Sequence, residues 1–238
     1  GLSGWHSAAH LTVVALLMWG GGLLLERKRS RLLLALLVGL DMSAMLLLKY
    51  APIAQELLVP VGLSYFTFQS AGYLVDVYSG KAQAQKNPLR AWLFVGYFPQ
   101  LAQGPISSWK ELGPQLMTGH RLEPEQFISG FTLLLWGYFK KLVIADRLAA
   151  TTDALLGGGS LPGWFVLGGV VLYTVRLYMD FSGGMDAVRG LSRMMGVELP
   201  ENFRRPFFAT SVADYWRRWH ITLGKWFRAY MLYPLTTS

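Results

Sequence analysis

Two long stretches almost free of charge constrain this chain more than anything else in it. From Trp5 to Leu25 the only ionisable side chains are His6 and His10, and from Leu32 to Leu48 the only one is Asp41. A helix of about 20 apolar residues matches the roughly 30 Å hydrocarbon core of a bilayer. Only helices and closed barrels satisfy their own backbone at that depth. Composition agrees: 53% of the 238 residues are hydrophobic and 15% are charged, against about 25% charged in soluble domains. The expected fold is all-α: a polytopic integral membrane protein, a helical bundle with re-entrant and interfacial amphipathic helices. Its place is the cell membrane, crossed several times.

Three further spans are expected, over 57–75, 127–144 and 161–178. The segment 92–106 carries Gly96, Pro99, Gly104 and Pro105 and reads as a re-entrant or broken helix, a form tolerated where protein or a water cavity satisfies the freed backbone. The basic loops Glu26–Arg31 and Lys81–Arg90 fall on one side, which the positive-inside rule makes cytoplasmic. Re-entry of 92–106 also keeps the basic C-terminal third there. It leaves Lys140 and Lys141 near the outer end of the fourth span, where they snorkel. The net charge of +8 is explained by membrane lipids and orientation rather than by nucleic acid.

The absence of cysteine removes thiolate metal sites, disulfides and a cysteine nucleophile from this chain. His6 and His10 have no third ligand nearby in sequence, so no metal site is expected. No phosphate-binding glycine loop or nucleophile elbow occurs. Asp41, inside a span, reads equally as an ion-pair member or a functional group. The chain begins with Gly1 and stops at Ser238, and reads as a single membrane-embedded domain over 1–238, incomplete at both ends.

From Asp180 the sequence mixes polar groups and glycines with aromatics, as in Asp180-Phe181-Ser182-Gly183-Gly184-Met185-Asp186, and reads as interfacial or cavity-lining structure. It leads to a stretch from Ser211 to Arg228 with helical periodicity. Ser211 followed by Asp214 resembles a capping box. Trp216, Trp219, His220, Leu223, Trp226 and Phe227 then share one face, with Arg217, Arg218, Lys225 and Arg228 on the other. His220 on the apolar face is either a packed, hydrogen-bonded imidazole or a proton acceptor. Spacing alone does not choose.

Five motifs in order resemble a family. They are Tyr65-Phe66-Thr67-Phe68-Gln69 with Asp76-Val77-Tyr78, Phe98-Pro99-Gln100-Leu101 with Gly104-Pro105-Ile106, Asp180-Phe181-Ser182-Gly183, Leu199-Pro200-Glu201-Asn202-Phe203, and Trp216-Arg217-Arg218-Trp219-His220. Together they resemble the membrane-bound O-acyltransferases, in the bacterial branch with alginate O-acetyltransferase and teichoic-acid D-alanyl transfer proteins. The resemblance implies transfer of an acetyl or D-alanyl group from a cytoplasmic thioester to a hydroxyl of an extracytoplasmic polysaccharide or envelope polymer. The acyl donor, on coenzyme A or an acyl-carrier protein, is then a substrate and partner, with no bound cofactor. An acyltransferase partner on the far side is a further expectation.

His220 matches the upstream of two signature histidines and is the catalytic candidate; the downstream one would lie beyond Ser238. Asp180, Ser182, Asp186, Asn202, Trp216, Arg217, Arg218 and Trp219 are the substrate-binding candidates. Gly184-Met185 and Ala229 depart from the branch's usual residues. A transporter or channel, or a non-catalytic membrane subunit that recruits a partner, is the alternative reading; the transporter does not explain the aromatic, basic stretch around His220.

Overall fold

A computed structural model describes residues 2–50, 62–157 and 161–233. It is 79% helical, with no strand among the described residues. Among the described residues, four helical stretches are long and apolar enough to cross a membrane: Trp5–Lys28, Arg31–Tyr50, Pro124–Leu156 and Gly163–Met194. The chain divides into two compact units, one formed by 1–119 with 220–238 and the other by 120–219.

In the first unit, α1 (Leu2–Lys28) and α2 (Arg31–Tyr50) pack on α3 (Leu63–Tyr78). The start of the third expected span, 57–61, lies outside the described residues. Gly62 opens α3 with a φ of 78°, and a Cβ there would overlap the Leu101 carbonyl, so only glycine fits. Eleven of the sixteen α3 residues are buried, Thr67 and Gln69 of the polar Ser64–Gln69 run among them, so these two meet protein. Asp41 is buried beside Ser70.

The segment after α3 then runs back along α1. Gly80 lies next to Arg29, the Ala84 N–H donates to Glu26 Oε1, and Trp19 Nε1 donates to the Lys86 carbonyl. In α4 (Pro88–Val95) Trp92 Nε1 donates to Thr12 Oγ1, and Gly96 reaches Leu11. These contacts descend α1 in order from its C-terminal end. Two breaks follow, on either side of α5 (Phe98–Ala102). The chain then returns through α6 (Trp109–Met117), whose Trp109 stacks edge-on against Phe94 and Tyr73. The Gly/Pro-rich stretch is thus the turn of a hairpin that enters and leaves at one end of α1, not one continuous helix.

In the second unit, α7 (Pro124–Tyr138) continues through a π-helical turn, Phe139–Ala145, into α8 (Asp146–Leu156). The fourth span therefore runs well past Ile144. It packs against α9 (Gly163–Met194). Here the expected change of character at Asp180 is corrected: Asp180–Asp186 continues the helix begun at Gly163. The glycines that suggested a loop serve close packing instead. Cβ atoms on Gly130 or Gly137 of α7 would lie 2.7 and 2.5 Å from the carbonyls of Gly190 and Gly183 on α9, and the reverse substitutions clash equally. Two antiparallel helices meet backbone to backbone, the small-residue contact that replaces the hydrophobic effect between helices in lipid.

The expected single helix over 211–228 is also corrected. Ser211 caps α10 (Val212–Arg218), its hydroxyl accepting from the Asp214 N–H at 3.1 Å, while Asp214 accepts from the Thr210 N–H. Trp219 is then extended and His220 left-handed, with φ of 44°, before α11 (Ile221–Phe227) begins. Two interactions favour the break. Trp219 enters a cluster with Tyr178, Phe181, Phe203, Phe207 and Tyr215, and the Arg204 N–H donates to the Arg218 carbonyl that the interrupted helix leaves open.

Candidate functional site

The second unit holds a cavity of about 420 Å³ between the α7–α9 pair and the 201–218 segment. Its floor is an ionic cluster. Lys140, turned inward on the π-helical segment, donates to Ser182 Oγ at 3.0 Å and forms an ion pair with Asp186 at 2.5 Å. Asp186 also accepts from Arg189 at 3.2 Å. The snorkelling expected of this lysine is corrected: its side chain is 7% exposed, because carboxylate and hydroxyl partners 46 and 42 residues later satisfy it inside the protein. Lys141 instead pairs with Asp180 and Asp146 nearer the surface. Periodicity missed Lys140 as a site residue; the available signal was a lysine within an otherwise apolar segment.

Arg204, Arg205 and Arg218 form the rim with Glu201, and Trp136, Tyr178 and Phe203 supply aromatic walls. Lys140 and three arginines face Asp186 and Glu201, so the lining carries an excess of two positive charges. Arg204 pairs with Glu201 and Arg218 with Asp214. Arg218 beside Asp214, and then Arg217, hold that carboxyl below the usual carboxylate range. Such a lining suits an anionic ligand with hydroxyl or amide groups.

The candidates therefore divide. Ser182, Asp186 and Arg218 line the cavity. Asp180 is held by Lys141, and Arg217 reaches Asp214 at 3.6 Å. Trp219 belongs to the aromatic cluster, whereas Trp216 is exposed. Asn202 is buried, donating Nδ2 to Met185 Sδ.

His220 belongs to the first unit, where the remaining motifs join. Gln69 donates to Gln100, whose own amide donates to the Pro105 carbonyl and Ser107 Oγ. The Ile106 N–H donates to Thr222 Oγ1 at 3.1 Å, Trp226 Nε1 to the Phe68 carbonyl, and Tyr230 to Asp76 Oδ2. Stretches that are distant in sequence become one buried polar frame, and its C-terminal member starts directly after His220. A left-handed non-glycine backbone costs about 1–3 kcal/mol and is retained where surrounding contacts enforce it. Burial pushes the imidazole down from 6.5 to about 4, so at neutral pH it is uncharged and able to accept a hydrogen bond.

No family model matches the chain. It is 40% identical over 184 residues to the alginate O-acetylase of Pseudomonas aeruginosa, covering 76% of this chain and 34% of that protein. It is 32% identical over 210 residues to the peptidoglycan O-acetyltransferase of Helicobacter pylori, covering 76% and 39%. With the teichoic acid D-alanyltransferase of Bacillus subtilis it shares 27% over 176 residues, covering 72% and 44%. The chain is a homologue of the membrane-bound O-acyltransferases. As such a homologue it spans under half the length of these curated relatives. Their names share acyl transfer to envelope or extracellular polymers while differing in polymer and acyl group.

Proposed function

We propose that the protein to which this chain belongs transfers a short acyl group, acetyl or D-alanyl, to a hydroxyl of an extracytoplasmic polysaccharide or envelope polymer. One observation carries this reading: relatives named for three different polymers align with three quarters of the chain and share only the reaction type.

The donor is a thioester of coenzyme A or a carrier protein, presented from the cytoplasmic side. The hydroxyl oxygen attacks the thioester carbonyl, the carbon–sulfur bond breaks, and the hydroxyl proton passes to the departing thiolate. A neutral imidazole assists by accepting that proton as the new bond forms. A pKa of about 4 keeps His220 in the accepting form across physiological pH. It also makes the imidazole a weak base, suited to polarising the attacking hydroxyl rather than storing a proton. Within the second unit, Arg218, Ser182 and Asp186 bind polar groups of a substrate, Asp180, Trp216, Arg217 and Trp219 lie outside the cavity lining, and Asn202 supports α9 from the interior through Met185.

The test is acyl transfer by the purified full-length protein. His220→Ala and His220→Gln should each lower turnover by about 100- to 10,000-fold, the usual range for a general base, with unchanged melting temperature. Near-normal turnover by the Gln variant would remove His220 from the chemistry.

A further inference from the structure

The hairpin of the first unit carries a second polar feature, apart from the motif residues. An open cleft of about 600 Å³ is lined by Gln83, Gln85, Lys86, Asn87, Arg90 and Trp109. Lys86 and Arg90 are exposed and form no ion pair among the described residues. The amide side chains beside them add donors suited to a phosphate's oxygens. No acidic side chain lines the cleft.

The position of this cleft matters as much as its charge. The Lys86 carbonyl is bonded to Trp19, nine residues before the end of α1 at Lys28, or about 13 Å along a helix. α1 is apolar enough to cross a membrane, so the backbone that carries the two cations runs alongside its apolar length rather than at its basic end. Charges at that level face protein, water or a counter-ion. The outward surface of α4 alternates accordingly: Arg90 lies among Leu89, Trp92 and Leu93, all exposed. α1, against which α4 packs, also exposes Val13 and Leu16. A basic, amide-lined cleft continued by an exposed apolar strip has the two-part chemistry of a phospholipid, a phosphate joined to acyl chains.

We propose that this cleft binds the headgroup of an anionic phospholipid, with Lys86 and Arg90 on the phosphate and the acyl chains along Leu89, Trp92 and Leu93. The bound lipid neutralises the hairpin's cations beside α1 and fills the groove that the returning chain leaves. The assignment is independent of acyl transfer.

The experiment is native mass spectrometry of the full-length protein titrated with phosphatidylglycerol in detergent, with inorganic phosphate as competitor. Lys86→Gln and Arg90→Gln should each weaken lipid retention about fivefold and the double variant about thirtyfold, from the usual contribution of a basic residue near anionic lipid. Both side chains are exposed, so folding is preserved. Lys86→Arg with Arg90→Lys should keep the affinity, and Leu89→Ser with Leu93→Ser should lower it. Arg121→Gln with Arg147→Gln, exposed cations of the other unit, controls for net charge and should retain it. Unchanged retention by the double Gln variant, or equal loss in the control, overturns the site. Displacement of the lipid by millimolar inorganic phosphate, with no effect of the two Ser substitutions, overturns the lipid assignment in favour of a free phosphate-bearing ligand.

Discussion

Lys140→Met isolates the ionic cluster beneath the second unit's cavity. Methionine keeps most of the lysine's apolar stem and removes only the charged end, so packing changes little. Deleting one member of a buried pair typically costs about 3–5 kcal/mol, because the other charge remains buried without compensation. Here Asp186 keeps Arg189 at 3.2 Å, and its side chain is 19% exposed against 7% for Lys140, which lowers the electrostatic part to about 2 kcal/mol. Loss of the donor to Ser182 Oγ adds about 1 kcal/mol. The expected total of about 3 kcal/mol corresponds to a fall in melting temperature of roughly 12–24 °C for a unit of about 100 residues. The full-length variant in detergent, followed by thermal unfolding, gives the number. Lys140→Met combined with Asp186→Asn should recover part of the loss, since the stranded charge goes with its partner. A melting temperature within about 1 °C of wild type for the single variant would refute the cluster as a source of stability.

Three other outcomes follow from the geometry. Gly137→Ala places a Cβ 2.5 Å from the Gly183 carbonyl and should destabilise by about 1–3 kcal/mol, whereas Gly168→Ala meets nothing within 4 Å and should be neutral or stabilising in the same melting assay. Thr222→Val strands the buried Ile106 N–H and should cost about 1–3 kcal/mol, while Thr222→Ser retains the acceptor and most of the stability. Because burial lowers the His220 pKa from 6.5 to about 4, the folded state binds fewer protons than the unfolded state between those values. Stability from this group is therefore full above about 6.5 and lost as pH falls toward 4; His220→Gln should flatten that part of the melting-temperature profile, and an unchanged slope would assign the acid sensitivity elsewhere.

What could be read from sequence depended on how local the cause was. Uncharged runs were enough for α1 and α2, since length and hydropathy alone decide them. The Ser211 cap was legible for the same reason: donor and acceptor are three residues apart. The break at Trp219–His220 was not, because the amphipathic period continues through it and neither residue is glycine or proline. Its cause is an aromatic cluster assembled from three separated stretches. Lys140 was misplaced for a similar reason, its partners lying more than 40 residues away. The glycines of α9 misled in the opposite direction. Local propensity assigns Gly183 and Gly184 to a loop, whereas contact with α7 makes Gly183 and Gly190 the residues that let the helix continue.

That glycine contact has a consequence for motion. α7 and α9 touch at two levels seven residues apart on each helix, chiefly through backbone atoms. A slide of one residue would drive a Cβ into a carbonyl at several points, so the pair has a single register and no soft coordinate along its axis. The wall of the cavity that bears Lys140, Ser182 and Asp186 is consequently fixed in shape. Any change in the shape of this cavity then falls on the opposite wall, the 201–218 segment.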